Sequence, residues 1–228
     1  QEAPDGAPYP YLDEIRFVPI PETEQRVNAL EAGDIDVLHN SRPGDLLTLQ
    51  GLEEQDVVDL WSSAAAGETS FVQMNNSVAP FDDVRVRRAM AMVIDREEYK
   101  ATNLRGQGDI ANGPFPPGSV GYVEDSGYPE PDLAAAKELI AEYEAEKGEI
   151  GTVTFTATSD AFNQQTAIFV QQALEQQGID VAMATVQQSE LVSTAIAGSY
   201  EMMLFRFYGG GVPDYNLIWW YTGGPTNF

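Results

Sequence analysis

The stretch from Thr152 to Phe207 constrains the fold most, because its hydrophobic period alternates repeatedly between strand and helix values. Thr152–Thr158 reads as a strand, and Asn163–Gln177 reads as a helix ended by Gly178. Ile179–Val186 reads as a second strand. Ser189 is the expected cap of a helix over Glu190–Ala197, and Gly198 ends it. Tyr200–Phe207 is the next strand. Strands joined through helices make a layered α/β fold, with the helices covering a sheet.

The N-terminal part carries a weaker version of the same pattern. Residues 1–10 are rich in Pro and Gly and show no apolar period, so they read as a lead-in. Glu14–Ile20 is strand-like. Thr23–Ala32 is an expected helix, with Val27 and Leu30 inward and Gly33 as its stop. Ile35–Leu38 is an expected buried strand, Pro43–Gln50 a helix, and Val57–Trp61 and Phe71–Met74 strands. A long segment, Arg105–Pro131, is punctuated by Gly and Pro and has no period of its own, the mark of a functional loop or a linker. Asp132 then caps a helix with Leu133, Ala136, Ile140 and Tyr143 on one face, stopped at Gly148. There is no internal repeat.

Charge excludes some partners. Twelve Lys and Arg against 36 Asp and Glu give a net charge of −24. Such a chain repels nucleic-acid phosphates and anionic membrane surfaces. With no Cys, disulfides, thiolate catalysis and sulfur-ligated metals are excluded. No apolar run reaches the ~18 residues of a membrane-spanning helix, and no secretory leader is legible at the start.

Catalytic signatures are also missing. His39 is the single histidine. Without Cys it builds no ordinary zinc site. It is read, with Asn40, as a polar pair on a loop or pocket edge, although a general-base role stays open. Glu53-Glu54, Asp82-Asp83 and Glu97-Glu98 are sequence neighbours, which diverge on a helix and make no catalytic dyad. Gly209-Gly210-Gly211 follows a strand but lacks the Lys-Ser/Thr of a phosphate loop. Aromatics crowd the end of the chain. Phe205 is assigned to the core. Phe207 and Tyr208 lie at a strand's carboxyl end, where open α/β sheets bind ligands, and are candidates for a pocket.

The segment Asn75 to Arg96 contains Pro80-Phe81-Asp82-Asp83-Val84-Arg85-Val86-Arg87-Arg88-Ala89-Met90, and then Ala91-Met92-Val93-Ile94-Asp95-Arg96. Asp82 or Asp83 suits a helix cap, and Val86, Ala89, Met90, Val93 and Ile94 share one helical face. The whole string resembles the "FN…PPFDDVRVRQAL…AIDR" signature of the family 5 extracellular solute-binding proteins of ABC importers, which bind oligopeptides, dipeptides or nickel. Tyr11-Leu12-Asp13-Glu14-Ile15, Ala29 to Asp36 and Asn112 to Gly118 are similar to the family's "PYLDEI", "ALQAGEVDI" and "ANGPFPPG".

The resemblance implies a type II periplasmic-binding-protein fold with two lobes that close on a ligand. It places residues 1–75 in part of the first lobe with its hinge strand, and residues 76–228 in most of the second. It also implies that the chain is a fragment of a longer receptor. Contacts to the ligand are expected from the loop Ser159-Asp160-Ala161-Phe162, from the helix start near Gln188, and from the loop after the last strand. In peptide receptors that last loop carries an Asp that pairs with the peptide amine. Aligned without gaps to Asn216, that position falls on Gly210, and Arg206 replaces a Gly; Asp214 is the alternative carboxylate. The expected function is capture of a peptide-like or other small organic solute outside the membrane, periplasmic or lipid-anchored, for delivery to permease subunits. No cofactor, metal or catalysis is expected. The rival readings are a hydrolase using His39 or Asp160 as base, and a sensor or adhesion module on the same fold.

Overall fold

The computed structural model describes residues 6, 10–20, 22–40, 42–62, 68–208, 221 and 223–224. Two compact units result, residues 1–60 and 61–228.

The first unit is built on helices. α1 (Thr23–Glu31) and α2 (Pro43–Glu53) bury Val27, Leu49 and Leu52 against one another, with Leu30, Leu38, Val58 and Leu60 half-buried around them. The expected strands Glu14–Ile20, Ile35–Leu38 and Val57–Trp61 do not form; those segments join no ladder among the described residues. An alternating pattern becomes a strand only with a neighbour to satisfy its backbone. Without one, Phe17 and Val37 stay largely exposed.

The second unit carries a four-stranded sheet in the order β1-β4-β2-β3. Its strands are β1 (Glu68–Met74), β2 (Val153–Thr158), β3 (Val181–Val186) and β4 (Met202–Tyr208). β2 runs parallel to both β3 and β4, while β1 pairs antiparallel to β4 from Glu68↔Tyr208 to Met74↔Met202. The sheet is therefore mixed. The segment Phe71–Met74, expected to be a hinge strand of the first lobe, is hydrogen-bonded into this sheet and lies in the second unit.

Helices cover both faces. On one, α3 (Val84–Val93), α5 (Leu133–Lys147) and α6 (Ala161–Glu175) bury Val86, Ala89, Ile140, Val170 and Leu174 against Phe155, Met202 and Leu204. On the other, Leu191 and Ala195 of α7 (Gln188–Ala197) cover Met203, Phe205 and Phe207. The alternation of β4 residues between the two clusters is the pleat of a strand covered on both faces.

Local signals set the helix ends. Asp83 caps α3 by accepting from the Arg85 N–H, and Asp132 caps α5 at Ala134 and Ala135. Gly148 and Gly198 end α5 and α7 with positive φ, where a Cβ would be strained. Ser189 is not the cap of α7. That helix begins one residue earlier, at Gln188, and its cap residue Gln187 makes no side-chain capping bond. A short helix unforeseen in the sequence, α4 (Arg96–Thr102), follows α3, with Asp95 as its cap. Arg96 then anchors the long loop. Its guanidinium donates to the carbonyls of Ala111 at 3.0 Å and Pro129 at 3.4 Å and lies 4.5 Å over the Tyr128 ring.

Candidate ligand-binding site

β2, β3 and β4 all point their carboxyl ends the same way, and α6 and α7 both begin at that edge on opposite faces of the sheet. An open α/β sheet leaves its crevice there. The turn from β2 into α6 is held by a compact polar network. Asp160 accepts from the Asn163 N–H at 3.1 Å and from the Thr158 hydroxyl at 2.6 Å. The Asn163 carboxamide donates to the Thr158 Oγ1, and the Gln164 carboxamide to the Thr158 carbonyl, each at 2.6 Å. The Asp160 carboxylate thus holds the first turn of α6, and Thr158 ties that turn to the strand.

β4 runs past its parallel neighbour. The β2–β4 pairing joins Phe155 to Met202 and Thr156 to Met203, and β2 ends at Thr158. In that register Thr158 stands beside Phe205, so Arg206 to Tyr208 lie beyond the end of β2. On its other side β4 is paired by β1 along its whole length. The notch left beside the overrun is a cavity of about 30 Å³, lined by Ser70, Asn163, Gln188, Phe205 and Arg206 among others. That volume holds about one water. Across the strands, Arg206 Nη1 meets Glu68 Oε2 at 3.2 Å.

The residues singled out in the sequence fall in different places. Ser159, Asp160, Phe162 and Gln188 lie at the carboxyl edge, Ser159 and Gln188 exposed and the other two half-buried. The Gln187 side chain reaches the Ser159 hydroxyl at 3.5 Å. Phe207 is buried, its ring 5.0 Å from Phe71 and 5.5 Å from Phe205, inside the cluster under α7. Its ring packs in the core because its place on the strand faces α7. Phe205, assigned to the core, is buried and also lines the notch. Tyr208 ends β4. Its side chain, with Gly210 and Asp214, lies outside the described residues.

His39 is exposed in the first unit. Asn40 is beside it, donating to Asp45 Oδ2 at 2.9 Å and accepting from the Arg42 N–H at 2.8 Å. Among the described residues no three His, Asp or Glu side chains gather as a metal site, and no helix is long and apolar enough to cross a membrane.

Glu68, Ser70 and Asn163 were not foreseen. Asn163 was legible as the residue three after a capping Asp. Ser70 reaches the notch, and Glu68 reaches Arg206, only through antiparallel pairing with a strand more than 130 residues away, which no local pattern encodes. The Asn75–Arg96 signature lies elsewhere. Phe81 and Val86 are fully buried, Arg87 donates to the Phe81 carbonyl, and Arg85 pairs with Asp83 and Glu146. This segment builds the core.

Comparison with known proteins agrees with this architecture. The family described as Bacterial extracellular solute-binding proteins, family 5 Middle, matches residues 4–228. Di/tripeptide-binding protein 2 of Pseudomonas aeruginosa is 30% identical over 211 residues, covering 90% of this chain and 38% of its own length. Among solved structures, the periplasmic binding protein DppA from Helicobacter pylori in complex with the peptide STSA superposes with a TM-score of 0.73 at 25% identity, over 87% of this chain and 38% of that one. AgaA of A. tumefaciens R10, in complex with agropinic acid, gives 0.68 at 26%, over 85% and 39%. The chain spans about 38% of the length of the curated relatives it matches. The fold is that of the type II periplasmic binding proteins, and the chain belongs to the family 5 bacterial extracellular solute-binding proteins, a family of binding proteins rather than enzymes.

Proposed function

We propose that this chain carries a ligand-contacting part of the receptor of an ABC importer, which captures a di- or tripeptide or a peptide-like solute outside the membrane and delivers it to permease subunits. The carrying observation is the overrun of β4. Beyond Thr158 one edge of that strand has no β2 neighbour, at the end of the sheet where ligands bind. Strand backbone at a cleft presents N–H and C=O groups at the spacing of an extended peptide, so such a site suits peptide backbone with little regard to side chains. The relatives, di/tripeptide-binding proteins of Pseudomonas aeruginosa, support the same class. In this reading Asp214 supplies the carboxylate for the peptide amine, since Gly210 has no side chain.

We assign the first unit, with His39 and Asn40 as its contacts, to one lobe. The second unit, including β1, is assigned to the other, and Ser159, Phe162 and Gln188 are its contacts. The receptor does no covalent chemistry. Asp160, the candidate base of a hydrolase, is engaged as a helix cap, which favours binding over catalysis. The test is calorimetry on the full-length protein with dipeptides, tripeptides and their N-acetylated forms. Free peptides are expected to bind with Kd of about 1 μM or tighter, weakened about tenfold or more by acetylation or by Asp214→Ala. Absence of binding by every free peptide overturns the peptide class.

A further inference from the structure

We propose that Arg206 is a specificity-determining residue that selects ligands bearing a carboxylate, with Glu68 as the counter-ion it exchanges for that carboxylate. This rests on the receptor reading above and names the ligand class of the same site.

Position comes first. Met202 and Leu204 face the core under α6, and Arg206 is the next residue on that face of β4. It lies where the face leaves the core and runs beyond the end of β2, and there it lines the notch with Ser70, Asn163 and Gln188. Ser70 is its partner across the strands, and Glu68 lies two residues along on the same face. Arg206, Ser70 and Glu68 are all exposed there, so the guanidinium is open to an incoming ligand. Glu68 faces it at 3.2 Å with the two side chains 40% and 30% exposed, and an ion pair that open to water holds its cation weakly.

The chemistry of the pair comes second. The contact joins one guanidinium nitrogen to one carboxylate oxygen, and 3.2 Å is longer than the 2.7–2.9 Å common for charge-assisted pairs. A guanidinium presents parallel N–H groups that match both oxygens of a carboxylate, so a ligand carboxylate that approaches in plane has the better geometry.

Charge comes third. A chain of net charge −24 disfavours an anion everywhere unless a cation is dedicated to it. Arg85, Arg87 and Arg96 are engaged in holding helices and loops. Among the described residues Arg206 is the cation that lines the notch. A site for purely neutral or cationic solutes would gain nothing from it.

The experiment uses matched pairs in which one carboxylate is replaced by an amide: Ala-Glu with Ala-Gln for a side-chain carboxylate, Ala-Ala with Ala-Ala amide for the terminal one, and glutarate with its monoamide for a non-peptide. Each is titrated calorimetrically into the full-length protein and into its Arg206→Gln, Arg206→Lys and Glu68→Gln variants, with thermal unfolding to verify folding. The acid member of at least one pair is expected to bind about tenfold or more tightly. Arg206→Gln should bring that ratio near one, Arg206→Lys should keep part of it, and Glu68→Gln should tighten the acid by about threefold or more. A structural cross-strand pair predicts instead that Arg206→Gln and Glu68→Gln shift the unfolding temperature alike and leave the acid/amide ratio unchanged. That result, equal binding within every pair, or no binding by any acid overturns the proposal. Binding by the non-peptide pair alone, with the acid preferred, keeps the proposal and removes the peptide class. Peptide binding indifferent to Arg206 does the reverse.

Discussion

Asn75 is fully buried and fully used. Its carboxamide nitrogen donates to the carbonyls of Gly198 at 3.0 Å and Tyr200 at 2.9 Å, and its oxygen accepts from the Ser77 N–H and hydroxyl. One side chain thereby ties the end of β1 to the turn between α7 and β4. Removing it takes a donor from each of two carbonyls and the acceptor from Ser77, and lost hydrogen bonds to buried polar groups are costly. Asn75→Ala is expected to lower stability by about 2–4 kcal/mol, roughly 5–15 °C in Tm at this chain length, measured by thermal unfolding. Asn75→Asp should be at least as damaging, because it places a carboxylate against two carbonyl oxygens.

At the scale of elements, the α3 start couples a cap to a charge. The Asp83 carboxyl is held down to about 2, chiefly by the hydrogen bond from the Arg85 side chain and next by the Arg85 backbone N–H. A folded-state pKa below the unfolded one gives stabilisation that is whole above the unfolded value and lost as pH falls through the folded value. Asp83→Asn keeps a capping oxygen and loses the charge. The stability gap between wild type and D83N is expected to be constant from neutral pH to about pH 5, to shrink below about pH 4, and to close near pH 2. Urea unfolding across that series checks it; a gap that persists at pH 2 would show that the charge is not its source. α5 shares the arrangement, since Glu146 receives Arg85 at 3.0 Å and the guanidinium lies 5.8 Å over the Tyr143 ring. The signature therefore reads as a device for docking α3 on α5.

Across the whole molecule, the excess of acid over base sets the response to salt. A net charge of −24 is carried with few described ion pairs, and several of those are exposed. Like charges repel in the compact state, and screening shortens their reach from about 10 Å at 0.1 M salt to about 3 Å at 1 M. Tm is expected to rise by about 2–8 °C between low salt and 1 M NaCl, measured by differential scanning calorimetry. A Tm that falls with salt would mean that attractive pairs outweigh the repulsion.

What the sequence determined by itself was local. Asp132 before Ala136, Ile140 and Tyr143 fixed α5, because a cap and a 3.6-residue period are properties of neighbours along the chain. The same holds for α3, for β2, β3 and β4 as strands, and for the family, whose signature is one continuous string. The tertiary structure alone decided which strands have partners. Phe71–Met74 entered the sheet beside β4, while Glu14–Ile20 and Ile35–Leu38, equally strand-like in pattern, found no ladder among the described residues. It also decided the two sides of β4, placing Phe207 in the core under α7 and Arg206 over the notch with Glu68. A strand pattern states that alternate residues face opposite ways; which way is set by the register with a distant strand and by which helix covers each face.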